Sequence, residues 1–185
     1  MFKKLLLIVP VVLVSTLTGC GGGSDNSGGT DNYDLSSYFI ANRSVTKTWD
    51  ELSVHSNGST SVNIQNTFNT TITVTNYGAE ILYSFGDVWS IYVNENTIKS
   101  EWNGSLYSDD RRFIKINDIL FAGNKNCELV QHLNEYIPAQ GYGYGYDDVL
   151  EFSCKFPDSN VFYAKNIGHV ATEFNSTIFA VSGMQ

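Results

Sequence analysis

Three side chains in one short segment have the types and spacing of a metal site. His132 follows Glu128 by four residues and precedes Glu135 by three. On a helix these spacings place all three side chains on one side, where they could bind a divalent metal ion. The alternative is a solvated polar face opposite the apolar residues of the same segment. We favour that alternative, because a catalytic metal site also needs supporting hydrogen bonds and a cleft.

The remaining candidates for catalysis form no recognisable motif. His55 lies beside a predicted hairpin tip and is expected to be exposed, whereas His169 alternates with Val170 on a predicted strand and could face either side. The chain has no G-x-S-x-G nucleophile elbow and no HExxH metal motif. The 19 acidic residues could include a glycosidase pair, but such pairs meet in space and leave no sequence spacing. We therefore predict no catalytic residue, no metal ligand and no cofactor, and the sequence favours a protein that is not an enzyme.

Gly141–Tyr146 alternates glycine with tyrosine and is the most unusual local sequence. Three aromatic faces on a glycine-rich loop could stack on sugar rings or on a protein partner. The alternative, which we favour, is a loop whose tyrosines cover apolar surface and keep their hydroxyls in water. The sequence assigns no ligand-binding residue.

The start of the chain has the layout of an export signal. Lys3 and Lys4 precede an apolar run that is too short to span a membrane comfortably. The run leads to Leu17-Thr18-Gly19-Cys20, which resembles the lipobox of bacterial lipoproteins. The resemblance implies cleavage before Cys20 and acylation of Cys20, so that lipid chains anchor the protein in a membrane. Gly21 follows the cysteine where Asp would be a retention signal. The expected location is therefore the bacterial cell envelope, at the outer membrane if the host is Gram-negative.

This assignment divides the chain into three parts. Residues 1–19 are a predicted lipoprotein signal peptide, residues 20–32 a flexible Gly/Ser/Asn tether, and residues 33–185 a single β-rich domain. Cleavage removes two of the 11 Lys+Arg and leaves all 19 Asp+Glu, which gives a mature charge of −10. Such an acidic chain is unsuited to nucleic acid, whose binding needs clustered cations. The expected partner is the membrane, through the lipid on Cys20, while any protein or small-molecule partner is left open.

Cys127 and Cys154 are predicted to form a structural disulfide. They are the two of the 3 cysteines that remain once Cys20 carries lipid, and an exported protein meets an oxidising compartment. A metal pair is the alternative, but neither cysteine has a second Cys or His at ligand spacing. The bridge closes a loop of 28 residues from 127 to 154 inclusive. For such a loop the chain-entropy account gives about 3–4 kcal/mol of stabilisation.

Alternation of apolar and polar residues predicts a mainly β fold. One long stretch has five apolar residues of one parity: Val62, Ile64, Phe68, Ile72 and Val74. It predicts one strand, or two joined strands, with one buried face. Asn57-Gly58 and Asn103-Gly104 predict hairpin turns, because both residue types tolerate positive φ. Three further strands are predicted near the end of the chain. The expected architecture is an antiparallel curved sheet, an open half-barrel or a sandwich.

Two segments depart from the alternation. From Cys127 to Ile137 the apolar residues fall at helical spacing and Pro138 ends the run, which predicts one short amphipathic helix. The charged residues of Asp109–Arg112 predict a turn between strands.

Two further stretches resemble a family of uncharacterised bacterial lipoproteins. Residues 162–173, FYAKNIGHVATE, are similar to the "Y-Y-A-K-G-V-G-L-V-K-x-E" strand pair of that family, and residues 146–150, YDDVL, to its preceding "Y-x-D-V-L/I" segment. Asn166 stands where the family has Gly, although Asn also accepts left-handed φ. The resemblance implies a curved antiparallel β domain, somewhat like the half-barrels of periplasmic lipoprotein carriers, and supplies no catalytic residue.

The expected function is that of a membrane-anchored cell-envelope lipoprotein acting as a non-enzymatic binding or structural module. A periplasmic carrier of lipid-like ligands is one alternative, and it requires an apolar cavity. A carboxylate-dependent glycan hydrolase is another, and it requires two carboxylates about 5–10 Å apart in a cleft. A flat polar and aromatic face favours the binding module.

Overall fold

The computed structural model describes residues 32–122, 125–139, 142, 144–155 and 158–185, with the backbone alone at 121, 122 and 125. The predicted signal peptide, Cys20 and all of the predicted tether except its last residue lie outside these ranges. The described elements are β1 (Tyr33–Asp34), α1 (Ser36–Phe39), β2 (Val45–Val54), β3 (Thr60–Thr75), β4 (Gly78–Tyr83), β5 (Val88–Val93), β6 (Thr97–Trp102), β7 (Ser105–Arg111), β8 (Phe113–Ile114), β9 (Ile119–Ala122), β10 (Lys125–Tyr136), β11 (Tyr146–Cys154), β12 (Ser159–Ala164), β13 (Gly168–Phe174) and β14 (Thr177–Met184).

Twelve of the strands form one antiparallel sheet, which confirms the predicted fold class. Their order is β7-β6-β5-β4-β3-β2-β14-β13-β12-β11-β10-β9, and β1 pairs with β8 separately. Every neighbouring pair in the sheet is antiparallel. Strands twist relative to their neighbours, so a sheet of this width curls. Here β7 comes into contact with β9, and the sheet is nearly closed and barrel-like.

Two apolar clusters pack against the sheet. Val149 and Phe162 belong to the second cluster, whereas their chain neighbours Leu150 and Tyr163 pack in the first. Successive residues of a strand point to opposite faces, so β11 and β12 separate the two clusters. The first cluster fills the inside of the curled sheet, and the loop after β10 contributes Ala139 to the second.

The segment 33–42, which we name the N-terminal plug, closes one end of the curled sheet. Leu35 N donates to the Arg112 carbonyl oxygen on one side, and Asn42 N donates to the Asn166 carbonyl oxygen on the other. Leu35 is fully buried and Tyr38 is 3% exposed. The Arg112 guanidinium holds Asp34 through two hydrogen bonds of 2.7 and 2.6 Å. The plug therefore ties the β7–β8 region to the β12–β13 turn.

The predicted helix over Cys127–Ile137 is wrong, because this segment is strand β10. A β-bulge between Leu129 and Gln131 shifts the register of β10 against β11. The extra residue breaks strict alternation, so the apolar residues on either side of it fall at spacings that resemble a helix. The one helix that is described, α1, is a single turn in the plug.

Other local predictions have mixed outcomes. Asn57-Gly58 and Asn103-Gly104 do join strands β2 to β3 and β6 to β7, and the three C-terminal strands are present as β12, β13 and β14. Asp109 to Arg111 are strand residues rather than the predicted turn. Thr60–Thr75 is one strand, but Val62 and Ile64 are 47% and 82% exposed, because this half of β3 pairs with β2 alone and extends beyond β4.

The predicted disulfide is confirmed. Cys127 and Cys154 lie directly opposite each other on β10 and β11, with their Cα atoms 4.0 Å apart, and their sulfurs are bonded. The bridge therefore joins β10, the segment that the sequence predicts as a helix, to β11. Within the part of the chain that the structure describes, no helix is long and apolar enough to cross a membrane.

Candidate binding site

A small cavity of about 20 Å³ lies inside the curled sheet, under the plug. Its walls come from the plug and from strands β2, β3, β4, β5, β12 and β13. Most of these side chains are aromatic or aliphatic. They include Trp49, Trp89 and Tyr163. Among the described residues, no Asp or Glu lines the cavity.

Lys47 is the cation in the cavity wall, and it is 1% exposed. Its position on β2 has the same parity as Val45 and Trp49, so the strand directs it inward. The Lys47 Nζ donates to the carbonyl oxygens of Ile167 at 2.6 Å and His169 at 2.8 Å. Burial lowers the pKa of the amine from 10.5 to about 7. The amine can therefore exchange its proton near neutral pH.

His169 is the one predicted candidate that faces the cavity. Burial, and then the charge of Lys47, lower the pKa of the imidazole to about 3. The Nε2 atom donates to the Ala171 carbonyl oxygen at 3.0 Å and lies 2.7 Å from Thr172 Oγ1. The ring stays neutral near pH 7 and stands beside Trp49, with centroids 4.7 Å apart.

Gly168 allows the plug to approach this site closely. Its φ of +85° is a conformation that glycine adopts without strain. A Cβ at this position would lie 3.3 Å from the Phe39 carbonyl oxygen and 3.6 Å from Lys47 Nζ. Asn166, in the turn between β12 and β13, has a φ of +62°, a left-handed conformation that Asn tolerates.

The two tryptophans of the cavity differ in their hydrogen bonding. Trp49 Nε1 donates to Thr70 Oγ1 at 2.9 Å. Trp89 Nε1 is buried and has no hydrogen-bond partner in the described part of the chain. A buried donor without an acceptor costs about 1–3 kcal/mol, so it needs an explanation.

Two tyrosines also line the cavity. Burial and the nearby Asp87 charge raise the pKa of Tyr83 to about 12, and burial raises the pKa of Tyr163 above its ordinary range. Both hydroxyls therefore keep their protons and are able to donate hydrogen bonds.

A continuous run of aromatic rings leads from the cavity to the surface. We name its outer members, Phe68, Tyr83, Phe85 and Trp102, the aromatic rim. Trp49 stacks on Phe68 with centroids 5.7 Å apart, and Phe68 lies 6.2 Å from Tyr83. Tyr83 lies 5.1 Å from Phe85 and 5.4 Å from Trp102. Phe85 occupies the β4–β5 turn and is 62% exposed.

Polar side chains border the aromatic rim. Asn103 Nδ2 donates to Asp87 Oδ1 at 2.8 Å, and Asn103 Oδ1 accepts from Val88 N at 2.8 Å. Ser84 Oγ accepts from Asn69 N at 3.3 Å. The rim is therefore one exposed ring, Phe85, joined to the half-buried rings of Phe68, Tyr83 and Trp102 and bordered by amide, hydroxyl and carboxylate groups.

The predicted metal-binding face does not form. Glu128, His132 and Glu135 lie along β10, opposite Ser153, Leu150 and Asp147 respectively. Among the described residues, no three His, Cys, Asp or Glu side chains are grouped to hold a metal ion. His55 is exposed beside the β2–β3 turn, as predicted, and its Nε2 lies 3.0 Å from Ser61 Oγ.

Instead of a metal, His132 contacts a polar cluster that fastens the plug. Asp148 Oδ1 accepts from Tyr38 Oη at 2.6 Å and lies 2.8 Å from His132 Nε2, while Asp148 Oδ2 accepts from Lys165 Nζ at 2.9 Å. Burial acts to raise the pKa of Asp148, but these hydrogen bonds outweigh it and lower the pKa. Both carboxylate oxygens are occupied, so the cluster is an anchor for the plug rather than an acid–base site.

The tyrosines of Gly141–Tyr146 are divided between surface and interior. Tyr146 is 3% exposed and donates from Oη to the Val181 carbonyl oxygen at 3.0 Å. Tyr142 packs against the second apolar cluster and donates to Asp50 Oδ2 at 3.3 Å, whereas Tyr144 is 46% exposed. Gly141 and Gly143 lie outside the described residues. Two of the three tyrosines therefore cover apolar surface, as the favoured interpretation predicts, but the Tyr146 hydroxyl is buried rather than in water.

Glu151 and Glu173 are a further pair of neighbouring carboxylates. Burial raises the pKa of Glu173, which accepts a 2.8 Å hydrogen bond from Tyr136 Oη and feels the charge of Glu151. Phe162 lies opposite Glu151 on β12, and Tyr136 stacks on it with centroids 3.9 Å apart. The stacked pair therefore contacts Glu173 through Tyr136 and lies beside Glu151 through Phe162.

The sequence singled out none of Lys47, Trp89 or Phe85. Lys47 follows one polar residue and precedes another, so nothing distinguishes it from a solvated lysine except its parity with Val45 and Trp49. No protein-family model matches the chain, and neither a curated protein nor a solved structure matches it. The function is therefore argued from the site.

Proposed function

We propose that this protein is a lipid-anchored protein of the bacterial cell envelope whose β domain is a non-enzymatic binding module. The ligand is a glycan, and it binds at the aromatic rim. The lipid on Cys20 holds the module beside a membrane.

The run of aromatic rings that ends on exposed Phe85 carries the proposal. Exposed apolar side chains in a connected group mark interaction sites, whereas scattered ones do not. Phe85 is 62% exposed and lies within ring contact of both Phe68 and Tyr83. A sugar ring presents a flat C–H face that stacks on such side chains, and aromatic contacts contribute about 0.5–1.5 kcal/mol beyond the area that they bury.

The polar border supports a glycan rather than a fully apolar ligand. The Asn103 and Asp87 side chains and the Ser84 hydroxyl supply donors and acceptors next to the rings. Binding sites of this kind combine an apolar surface with a few polar groups that fix the orientation of the ligand.

The two alternative functions have less support. A carrier needs a cavity of about 300–1,000 Å³ for a lipid-sized ligand. The cavity here is about 20 Å³ and holds no acyl chain. A glycan hydrolase needs two carboxylates in a cleft, whereas no acidic residue among those described lines the cavity.

The anchor is tested by Cys20→Ala in the full-length chain. We expect this variant to leave the membrane fraction and to lose incorporation of labelled fatty acid. A variant that stays membrane-bound would overturn the anchoring proposal. The folded domain is then compared with wild type by its disulfide state, so that failure to fold is recognised.

The glycan site is tested by calorimetric titration with chitotriose, an uncharged N-acetylglucosamine trimer. We expect Phe85→Ser to weaken binding at least tenfold. Tyr77→Ser is the matched control, because Tyr77 is 48% exposed but stacks on Tyr92 away from the rim. Equal binding by wild type and Phe85→Ser, or no binding by wild type, would contradict the assignment.

A further inference from the structure

We propose that the glycan site continues from the aromatic rim onto the inner side of strands β14 and β2, where Phe179 provides a further stacking ring and Glu51 a hydrogen-bond acceptor. The ligand is then a linear glycan that lies across the strands and uses at least three sugar units. This inference rests on the proposed glycan site, and it adds the minimum length of the ligand and two residues that select for that length.

The first observation is that Phe179 continues the run of rings beyond the rim. Its centroid lies 6.4 Å from that of Phe68 and 6.1 Å from that of Phe174. On the rim side, the centroid of Phe85 lies 6.0 Å from that of Phe68. In the sheet, β14 and β4 lie on opposite sides of β3, with β2 between β14 and β3. Phe179 and Phe85 therefore flank Phe68 from opposite sides.

The spacing of these three rings suits consecutive sugar units. The two centroid distances at Phe68, 6.0 and 6.4 Å, are close to the length of one sugar unit in an extended chain. Phe85 is exposed, and Phe68 and Phe179 are half-buried, so each ring keeps surface that a sugar can cover. Two sugar units cover two of the rings, and a third unit is needed to cover all three.

The second observation is independent of the ring contacts and concerns the position of Glu51. This residue lies opposite Phe179 on β14 and opposite Asn63 on β3. Direct cross-strand partners point to the same side of a sheet, and so do residues two apart on one strand. Glu51 therefore shares its side with Phe179 and with Trp49, which lines the cavity and stacks on Phe68. Its carboxylate lies on the inner side of the sheet, beside the run of rings.

The Glu51 carboxylate is held in place and keeps acceptor capacity. Its Oε1 accepts from Asn63 Nδ2 at 3.3 Å, and its Oε2 accepts from Asn66 Nδ2 at 2.5 Å. Each carboxylate oxygen can accept two hydrogen bonds, so two acceptor positions are left. Among the described residues, no cation forms a salt bridge with Glu51, and its side chain is only half-buried. Sugar hydroxyl groups are donors that match these positions.

A bulge in β3 explains how Asn66 reaches Glu51. Between the pairs Trp49–Phe68 and Glu51–Asn63, β2 has one residue and β3 has four. The extra residues leave the regular ladder, and they place the Asn66 amide against the Glu51 carboxylate. Bulges re-aim side chains and are frequent beside functional sites. The fixed orientation of Glu51 supports a role for this carboxylate in binding.

The length of the ligand is tested by calorimetric titration of the full-length protein with chitobiose and chitotriose, the dimer and the trimer of N-acetylglucosamine. We expect the trimer to bind at least about tenfold more tightly than the dimer, because only the trimer contacts all three rings. Equal affinities for dimer and trimer would overturn the proposed minimum of three units.

Phe179→Leu tests the additional ring, because it keeps an apolar side chain and removes the aromatic face. We expect it to weaken trimer binding about fivefold and dimer binding less than about twofold, since Phe85 and Phe68 still hold the dimer. Leu82→Ser is the matched control. Leu82 is 50% exposed and follows Ile81, which lines the cavity, so Leu82 points to the outer side of β4. This control should leave both affinities unchanged.

Glu51→Gln tests the acceptor with little change in size. We expect about fivefold weaker trimer binding and less than about twofold weaker dimer binding, because the charged acceptor is lost beside the third unit only. Circular dichroism and the midpoint of urea unfolding show whether each variant keeps its fold. If Glu51→Gln does not fold, the exposed Asn66 is replaced instead. Asn66→Ala frees the carboxylate from one of its amides and should weaken trimer binding at least about twofold.

The failure of this inference and the failure of the proposed function give different results. Trimer binding that Phe85→Ser weakens, but that folded Phe179→Leu and Glu51→Gln leave unchanged, would overturn this inference and leave the rim site standing. No trimer binding by wild type would overturn the proposed function, and this inference with it.

Discussion

The two ends of the curled sheet are built from different interactions. At the plug, buried apolar residues and satisfied polar groups meet: Leu35 is fully buried, and Asp34 and Asp148 accept hydrogen bonds on both carboxylate oxygens. At the rim, Phe85 is 62% exposed, and in the cavity wall next to Trp102 the indole N–H of Trp89 has no partner among the described residues.

This difference supports our proposal that the rim is the binding end and the plug the structural end. Folding favours burial of apolar surface and pairing of polar groups, and the plug fulfils both. An exposed ring and an unpaired buried donor lower stability, so we expect to find them where a ligand binds. Substitutions at the plug should therefore change stability, and substitutions at the rim should change binding.

The largest expected effect on stability is at the plug. Leu35→Ala removes a fully buried side chain from the first apolar cluster, so the free energy of unfolding should fall by about 3 kcal/mol. Leu106→Ala is the matched control, because Leu106 is 63% exposed on β7, and it should change stability by less than about 0.5 kcal/mol. Urea unfolding followed by circular dichroism gives both values. Equal changes in the free energy of unfolding for the two substitutions would contradict the prediction that the plug is structural.

The next effect concerns Lys47, which the plug keeps out of water. Burial lowers its pKa from 10.5 to about 7, so between these values the unfolded chain binds more protons than the folded one. The free energy of unfolding therefore rises with pH above 7, and below 7 both forms are charged and the dependence disappears. Relative to Lys47→Met, wild type should gain about 2 kcal/mol between pH 7 and pH 9. Unfolding titrations at the two pH values measure this gain, and a constant difference would show that the amine is hydrated.

A smaller effect is expected at the polar cluster of the plug. Tyr38→Phe removes the 2.6 Å hydrogen bond to Asp148 and should lower the free energy of unfolding by about 1 kcal/mol at pH 7. Burial raises the pKa of Asp148, but its hydrogen bonds lower it more, so this stabilisation is lost as the pH falls through the folded-state pKa. Thermal unfolding at pH 7 and in acid should show the difference between variant and wild type shrinking. A difference that grows in acid would mean that the hydrogen bond favours the protonated carboxyl.

The smallest effect on stability is expected at the rim. Phe85 lies on a turn and is mostly exposed, so Phe85→Ser should change the free energy of unfolding by less than about 0.5 kcal/mol. The same substitution should weaken chitotriose binding at least tenfold. A loss of stability larger than that of Leu35→Ala would place Phe85 in the structural part of the molecule.

Much of the fold follows from local sequence rules. Alternation and the two Asn-Gly turns identify strands and hairpins because both signals lie within a few residues. The disulfide prediction follows from the count of cysteines and from the expectation that the chain is exported. The helix prediction failed at β10, because the bulge after Leu129 is set by pairing with β11 and has no local signal.

The candidate site was less accessible to sequence reasoning. Lys47 and Trp89 line one cavity only because β2 and β5 curve around one interior, with β3 and β4 between them. A lysine on an alternating strand faces either water or the interior. Which of the two it faces depends on which side of the strand becomes the inside of the curled sheet. His169 was identified as a candidate, but its facing side was left open for the same reason.

Hydrogen exchange of the two ends, with and without chitotriose, tests the central contrast most directly. The ligand should slow exchange in peptides from residues 81–87 and 100–104, which carry Tyr83, Phe85 and Trp102, and should leave peptides from the plug, residues 33–42, unchanged. Slowing confined to the plug, or equal at both ends, would contradict the assignment of the rim as the binding surface, and so would unchanged exchange at both ends under saturating ligand.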